Sequence, residues 1–537
     1  MKLYNFKNMV AMATIAISTL GVTSCIGDLD VENKNPQQVS ELNNDALLNK
    51  IYANMVITGQ KGPDGNGDLD DIDEGTSNMI RQIWNANTLT TDEAACIWGD
   101  AGIPEFNHNA WSDAHPMMKA LYYRLFFGVT LSNFFLEQAT GTDATILTQR
   151  AEARFMRALH YYYLMDLYGN VPIVTTVSSE ETPQATRAQL FEYVESELKD
   201  IAGEGEGNEI LADAKTNTYG RADKAAAWLL LSRIYLNAEV YTGTAQWQKA
   251  KDYADKAMKS GYSLCTTGMN GYTPFQLLFM GDNNTNGAQN EILLPAIHDG
   301  ETTQTWGGCL FIIAGATDGD DIAIYPTGTT EKWGGNHARL QFVQKFFPVT
   351  EAPDGTPDVV KNAAGDDRAL FLTQGHTASI ETEGDFPSGY AYVKFLAKHA
   401  DGTTTKHTQY VDTDFPMMRL AEAYLNYAEA DARLNGGNCS ADGLEKVNAL
   451  RKRANSRTVA SMSLDDLCDE WSREFGFEGM RRPTLIRFGK FGGQSAYKWQ
   501  WMGGDKQGQA FGAHFNLFAI PNSVITTGGM EQNPGFK

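Results

Sequence analysis

Cysteine is scarce in this chain of 537 residues, which contains six. Five of them are widely spaced and follow residue 25; they are Cys96, Cys265, Cys309, Cys439 and Cys468. Their odd number and the absence of any C-x-x-C pair argue against a disulfide framework and against a cysteine-based zinc site. The nine histidines support no zinc site either, since no two lie four residues apart on a predicted helix. We interpret the five cysteines as mostly small buried residues.

Positive charge is also in short supply. The chain has 44 Lys and Arg against 66 Asp and Glu, which gives a formal net charge of -22. Nucleic-acid binding depends on clustered Lys and Arg that neutralise phosphates. The charge balance therefore excludes a nucleic-acid partner and favours a neutral ligand.

Long apolar runs are missing except at the N-terminus, so the sequence does not indicate an integral membrane protein. Lys2 and Lys7 precede the one such run, residues 9–20, which is too short to span a bilayer. It ends in V-T-S-C at Cys25, which resembles a bacterial lipobox. We predict a lipoprotein signal peptide over residues 1–24 and lipidation of Cys25; the alternative is a plain secretory signal with an accidental cysteine.

Helical periodicity is the strongest structural signal. The segments 222–243 and 246–262 read as two helices joined by a tight turn, and 416–437 repeats the pattern. Large residues and alanines alternate at helical spacing in these segments, as in tetratricopeptide helix pairs. We predict a mainly α fold, a tetratricopeptide-like scaffold of helical pairs with long loop-rich insertions that carry short strands. The alternative is a set of generic helices around an all-α core.

The same patterns predict the domain organisation. Residues 25–537 are expected to form one domain, because the helical and loop-rich parts alternate along the chain. Helical repeats are predicted over about 41–59, 114–262 and 416–455, and loop-rich ligand-binding regions over about 61–112 and 264–413. Loops of this length in a compact protein are usually functional.

Four blocks occur in an order that resembles the SusD/RagB-like glycan-binding lipoproteins. They are SCIGDLDV, RFMRALHYYYLMDLYGNVPIV, RLAEAYLNYAEADARLNGG and REFGFEGMRRPTLIRFGKF. The resemblance covers nearly the whole chain, with a departure from the family pattern at Pro483 and Thr484. It implies a lipoprotein anchored to the outer membrane and facing the cell exterior. It also implies that the helical face contacts a TonB-dependent transporter, that the loop-rich face holds oligosaccharide, and that the protein is not an enzyme.

Three tryptophans stand in polar loops, each with a glycine directly after it: Trp98, Trp306 and Trp333. Sugars stack their C–H faces on flat aromatic rings, so we predict that these three form a binding surface, here called the tryptophan platform. The resemblance agrees, because all three coincide with binding aromatics of the family's starch-binding member, Trp306 replacing a tyrosine. The alternative is that each ring packs its loop against the helices. Of the others, Trp228, Trp247 and Trp471 are predicted to lie in the core, while Trp84, Trp111, Trp499 and Trp501 stay unassigned.

Polar candidates are fewer. Arg81 matches a polar contact residue of the starch-binding member and has donors that suit vicinal hydroxyl groups; the alternative is a surface ion pair. The neighbouring contact position is Ala101 here, where that relative has an asparagine. Asp100 is therefore a candidate acceptor for sugar hydroxyl protons.

No cofactor is required by these patterns, but a structural calcium ion is a candidate. The oxygen-rich loop GDNNTNG and the pair in Asp412-Thr413-Asp414 have suitable ligand types. Resemblance to the starch-binding member nominates Asn284, Asp412 and Asp414. Solvated turns are the alternative.

These observations predict non-catalytic capture of an α-glucan, either starch or maltooligosaccharide, and its delivery to a transporter. Another glycan, such as a fructan or a host glycan, is the nearest alternative. A glycosidase needs a pair of carboxyl groups at fixed separation, and no motif nominates one. A tetratricopeptide scaffold that binds only protein is the third possibility.

Overall fold

The computed structural model describes residues 43–65, 67–70 and 72–536. The predicted signal peptide and Cys25 lie outside these residues. Helices within the described residues are α1 Asn44–Ala53, α2 Met79–Trp84, α3 Ile103–Asn107, α4 Pro116–Gln138, α5 Ala144–Leu167, α6 Arg187–Lys199, α7 Lys224–Leu236, α8 Ala238–Thr242, α9 Trp247–Met258, α10 Pro274–Leu277, α11 Gly308–Gly315, α12 Gly319–Ile324, α13 Leu340–Val343, α14 Pro357–Ala364, α15 Leu420–Leu434, α16 Ala441–Arg453, α17 Leu464–Phe475, α18 Arg481–Arg487 and α19 Asn522–Gly528. The strands are β1 Ala94–Cys96, β2 Ile292–Ala296, β3 Asn336–Ala338, β4 Phe371–Leu372, β5 Ala391–Tyr392 and β6 Phe415–Arg419.

Local sequence sets where the long helices begin. Asp143 caps α5 by accepting hydrogen bonds from the first free backbone N–H groups, and Asp223 does the same for α7. Thr186 and Gln189 form a reciprocal capping box at the start of α6. These caps satisfy donors that a helix cannot pair internally, so each helix has a defined start.

The predicted helical pairs are confirmed. Helix α9 packs against both α7 and α15. The alanines that the sequence placed on the contact faces are fully buried, namely Ala250, Ala254, Ala257, Ala421, Ala428 and Ala432. A buried ion pair between Arg233 of α7 and Glu422 of α15 joins these helices, at 2.6 Å. Small side chains thus allow close helix contact, and the fold is mainly α as predicted.

The two loop-rich regions contain more helix than the sequence suggested. Helices α2 and α3 lie in the first, and α10 to α14 lie in the second. The strands of these regions pair in two-stranded antiparallel sheets, β1 with β3 and β4 with β5, while β2 pairs with β6, which follows the second region. The short helices have four to eight residues, which is too short for a 3.6-residue period to appear. Helix α11, GCLFIIAG, is also buried on every side and shows no polar face.

A buried network of charges connects several segments in the second half of the chain. Glu474 of α17 contacts Arg419 at 2.7 Å and Arg368 at 3.2 Å, and it also pairs with Arg453. Arg419 contacts Glu291 at 3.2 Å as well. All five side chains are inaccessible to solvent, so the network connects strand β6, helices α16 and α17, and the segment before β2 in the interior.

The cysteine interpretation is confirmed among the described residues. Cys96, Cys265, Cys309 and Cys468 are buried, Cys439 is half-buried, and all five are free thiols. No helix in the described part of the chain combines the length and the apolar composition that crossing a membrane requires.

Candidate functional site

The pairing of β1 with β3 brings two of the predicted tryptophans together. In its antiparallel register Cys96 faces Asn336, so Trp98, just after β1, lies beside the residues that precede β3. The indole Nε1–H of Trp98 donates to the carbonyl oxygen of Gly334 at 3.0 Å, although the two residues are 236 positions apart in the chain. Trp333, next to Gly334, therefore lies against Trp98.

The three predicted rings form a continuous row. The ring centroids of Trp98 and Trp333 are 6.4 Å apart with an interplanar angle of 55°. Trp333 and Trp306 are 6.1 Å apart at 51°. Trp306 in turn lies 5.3 Å from Tyr410 at 54°. The three tryptophans are half-buried, and their successive inclination means that they do not form one flat surface.

Helix α11 lies between the two chain segments that carry Trp306 and Trp333. Trp306 lies just before the helix, where the backbone N–H of Gly308 donates to the Asn78 side chain at 3.1 Å. Near the C-terminal end of the helix, the backbone N–H of Trp333 donates to the carbonyl of Ala314 at 2.8 Å. Because Trp306 lies just before this buried helix and Trp333 is hydrogen-bonded to its last turn, the helix determines the distance between the two tryptophan segments.

The glycines beside the tryptophans serve a purpose that the sequence did not reveal. A Cβ on Gly335 would lie 2.3 Å from Cε2 of Trp98, so this glycine makes room for the neighbouring ring. A Cβ on Gly307 would lie 2.3 Å from Cβ of Asn78, and one on Gly99 would meet nothing within 4 Å. At Gly307 and Gly335 the missing side chain thus allows another segment to pack closely, whereas the space at Gly99 sets no such requirement.

Arg81, on α2, lies at the edge of the row. Its guanidinium carbon is 4.7 Å from the Phe311 ring centroid and 5.9 Å from that of Trp98. The Nε atom is buried and has no hydrogen-bond partner among the described residues. Burial lowers the pKa of Arg81, while the charges of Asp73 and Asp100 oppose this shift. Asp100 is exposed, and its carboxylate is near enough to Arg81 to influence it electrostatically.

The platform tryptophans differ in whether the indole N–H is already hydrogen-bonded within the protein. Trp98 and Trp333 both use their N–H inside the protein, Trp98 on Gly334 and Trp333 on the Glu331 carboxylate at 2.6 Å. The Nε1 of Trp306 has no acceptor within the part of the chain that the structure describes and is not among its buried unpaired atoms. Trp306 and Arg81 are therefore the platform-side groups that have donors available for a ligand.

Sequence reasoning missed Tyr410 and Glu331. Tyr410 packs against Trp306, and Glu331 binds the Trp333 indole and the Gln409 amide. Neither residue belongs to a Trp-Gly pair. Glu331 contacts Gln409 across 78 positions of the chain, and Tyr410 contacts Trp306 from a distant segment as well. The one sequence signal for Tyr410 was its position, two residues before the predicted calcium ligands Asp412 and Asp414.

The calcium candidates are not equally available. Both carboxylate oxygens of Asp414 accept hydrogen bonds, from the His298 backbone N–H at 2.8 Å and from the Tyr219 hydroxyl at 2.9 Å. Burial raises the pKa of Asp414 to about 7. Asp412 Oδ1 is buried without a hydrogen-bond partner among the described residues, and Asn284 is exposed. No group of three His, Cys, Asp or Glu side chains in the described residues is arranged to hold a metal ion.

The remaining tryptophans belong to the scaffold to different degrees. Trp84, Trp111, Trp471 and Trp499 are buried. Trp228 and Trp247 are half-buried and pack against the core, and Trp501 is half-buried with its indole N–H donating to the Ile380 carbonyl at 3.0 Å. The two helical tryptophans predicted to be core, Trp228 and Trp247, are thus less buried than Trp471, because one edge of each faces solvent.

Comparison with known proteins identifies relatives over the whole chain. The family model described as "SusD family" matches residues 244–536, and the one described as "Starch-binding associating with outer membrane" matches residues 29–236. The "Starch-binding protein SusD" of Bacteroides thetaiotaomicron is 39% identical over 577 aligned residues, covering 100% of both chains.

Solved structures share the fold at lower identity. A SusD superfamily protein from Parabacteroides distasonis superposes with a TM-score of 0.67 at 19% identity, covering 92% of this chain and 100% of the other. A "Laminarin binding SusD-like protein" superposes with a TM-score of 0.65 at 19% identity, covering 92% of this chain and 99% of the other.

Proposed function

The chain belongs to the SusD family, and from this premise we propose that it is a non-catalytic cell-surface protein that captures starch and maltooligosaccharides. The single observation that carries the proposal is the continuous row of Trp98, Trp333 and Trp306, with neighbouring centroids 6.1–6.4 Å apart. A row of inclined, half-exposed rings provides several stacking faces along one glycan chain.

The geometry supports capture of a curved α-glucan. Because neighbouring rings are inclined by 51–55°, a chain that stacks on all three must change direction along its length. A helical α-glucan does so, and an extended β-linked chain does not. Arg81 and the Trp306 N–H then donate hydrogen bonds to hydroxyl groups, each worth about 1 kcal/mol, and the exposed Asp100 carboxylate is placed to accept one.

The test is calorimetric titration with a panel of soluble glycans: maltoheptaose, amylopectin, a fructan, a host-type glycan and laminarin. We expect binding to the α-glucans alone. Single alanine variants of Trp98, Trp306 and Trp333 should each weaken binding by about 1–3 kcal/mol, or about 5- to 150-fold. The half-buried Trp247 on α9, replaced by alanine, is the matched control and should bind like the wild type.

Two results would contradict the proposal. Unchanged affinity in all three platform variants would mean that the glycan binds elsewhere. If the fructan, the host-type glycan or laminarin binds more tightly than the α-glucans, the proposed ligand is wrong. The tryptophan platform would still be the proposed binding site. The laminarin arm is included because one protein that shares this fold is described as laminarin binding.

We propose that capture occurs without hydrolysis. The Glu331 carboxylate is hydrogen-bonded to the platform. Its two oxygens already accept hydrogen bonds from the Trp333 indole and the Gln409 amide. Glycoside hydrolysis needs one carboxylic acid and one carboxylate on opposite sides of the bond. New reducing ends after incubation with amylopectin would contradict this part of the proposal.

The proposed location is the outer face of the outer membrane, with Cys25 lipidated and a TonB-dependent transporter as the partner that receives the glycan. Family membership and the V-T-S-C sequence support it. Replacing Cys25 with alanine should release the protein from the membrane fraction. Co-purification of one TonB-dependent transporter with the anchored protein is the expected result for the partner.

Calcium remains a proposal for Asn284, Asp412 and Asp414. The buried and unpaired Asp412 Oδ1 supports a cation there, whereas the hydrogen bonds to Asp414 compete with metal coordination. Metal analysis of the purified protein, compared with an Asp412→Asn variant, tests it.

A further inference from the structure

One carboxylate connects two of the loops that build the platform. Glu331 Oε2 accepts a hydrogen bond from the Trp333 indole N–H at 2.6 Å, and Glu331 Oε1 accepts one from the Gln409 side-chain amide at 2.9 Å. The two donors come from different segments of the chain. Glu331 is half-buried, so neither bond is fully exposed to competition from water.

Backbone contacts join the same two segments beside Glu331. The N–H of Thr330 donates to the carbonyl of Thr408 at 2.9 Å, and the Thr329 hydroxyl donates to the carbonyl of Gln409 at 2.6 Å. Residues 329–333 and 407–410 therefore form one hydrogen-bonded unit, here called the loop clamp. Its only charged hydrogen-bonding group among the described residues is Glu331.

The loop clamp sets the geometry between two platform rings. Trp333 belongs to one segment of the clamp, and Tyr410 belongs to the other. Tyr410 contacts Trp306 with centroids 5.3 Å apart. Glu331 is thus linked to Trp333 directly and to Trp306 through Gln409 and Tyr410. A hydrogen bond to the ring nitrogen also fixes rotation of the Trp333 ring, which stacking on a sugar requires.

We propose that Glu331 is a positioning residue that fixes the orientation of Trp333 and its spacing to Trp306, and so sets the affinity for glycan chains long enough to contact both rings. The inference rests on the proposed glycan-binding function. It assigns to Glu331 no contact with the sugar: its two oxygens face Trp333 and Gln409.

The test uses the full chain with three variants. Glu331→Ala removes both hydrogen bonds and should weaken maltoheptaose binding about tenfold. Glu331→Gln should bind within about threefold of the wild type, because a rotated Gln409 amide allows the new side chain to keep both bonds. Adding Gln409→Ala to Glu331→Ala should cause little further loss, since the two residues act as one unit. Glu301→Ala, which removes an equal charge from an exposed nearby loop, is the matched control and should leave affinity unchanged.

A second readout is independent of glycan binding. In protein labelled with 15N-tryptophan, the Trp333 indole N–H should exchange with solvent faster in Glu331→Ala than in the wild type, while the Trp98 signal is unchanged. Assignment comes from Trp333→Phe and Trp98→Phe. Unaltered exchange at Trp333, or an affinity loss in Glu331→Gln equal to that in Glu331→Ala, would overturn the inference. Failure of the wild type to bind any glycan would overturn the proposed function, and the exchange data would still decide the role of Glu331.

Discussion

At the scale of single residues, the platform depends on positions that carry no side chain. Gly335 directly precedes β3, and the Trp98 indole occupies the space beside its Cα. Trp98 is also held by its hydrogen bond to Gly334, so the ring has little freedom to move aside. Steric room at Gly335 is thus a condition for the ring's position.

We predict that Gly335→Ala weakens glycan binding by about tenfold or more, because the new methyl group would lie 2.3 Å from Trp98 and displace the ring. Gly99→Ala is the matched control, since a Cβ there meets nothing within 4 Å although the residue adjoins Trp98. Calorimetry with maltoheptaose measures the difference. Equal affinities for the two variants would mean that the position of Trp98 is not needed.

The sequence predicted which tryptophans lie in the platform better than it predicted which residues contact them. The Trp-Gly pattern selected Trp98, Trp306 and Trp333, and the structure brings these three side by side. The residues that contact these rings could not be predicted, because Tyr410 and Glu331 contact them from loops that carry no Trp-Gly pattern or helical period. Sequence patterns report neighbours along one helix or strand, and they carry no information on which loops meet.

At the scale of elements, helix α12 is attached to the loop 376–389 by a buried ion pair. His376 Nε2 lies 2.8 Å from Asp321 Oδ1, and His376 Nδ1 lies 2.9 Å from the carbonyl of Gly389. Both partners are acceptors, so only a doubly protonated ring donates to both. Burial opposes this charge, but the hydrogen bond and charge of Asp321 outweigh it and raise the pKa of His376.

We predict that the protein loses stability as pH rises through the raised pKa of His376. The folded-state pKa lies above the usual value of about 6.5, so the stabilisation is complete below that pH and disappears as the ring is deprotonated in the folded state. Urea unfolding between pH 6 and 9 measures it. His376→Gln should be less stable than the wild type at pH 6, and the gap should narrow at high pH. A gap that stays constant with pH would contradict the argument.

Long elements were predictable and short ones were not. Helices α5, α7, α9 and α15 have clear periods, caps or alanine-rich faces, and the structure contains all four. Helix α11 was missed because every one of its residues is buried, which removes the polar face that reveals a period. The pairing of β1 with β3 also could not be predicted from the sequence, since a three-residue strand is too short to show an alternating pattern.

At the scale of the whole molecule, the buried charge network connects segments that are far apart in the second half of the chain. Burial alone would raise the pKa of Glu474, but Arg453, Arg419 and Arg368 outweigh it and hold that pKa well below its usual range. The carboxylate therefore contributes stability above the unfolded pKa of about 4.3, and the contribution is lost as pH falls toward the depressed folded value.

We predict that Glu474→Gln destabilises the protein by about 3–5 kcal/mol at neutral pH, because it leaves Arg419 and Arg453 buried with one fewer compensating charge. Urea unfolding at pH 7 measures the loss, with the exposed Glu351→Gln as the matched control for removal of one carboxylate. Below pH 4 the difference between wild type and Glu474→Gln should shrink progressively, since the unfolded wild-type chain takes up a proton at Glu474 that the folded state binds only at much lower pH. Equal stability of the two proteins at pH 7 would mean that the remaining carboxylates, Glu291 and Glu478, suffice to hold the arginines.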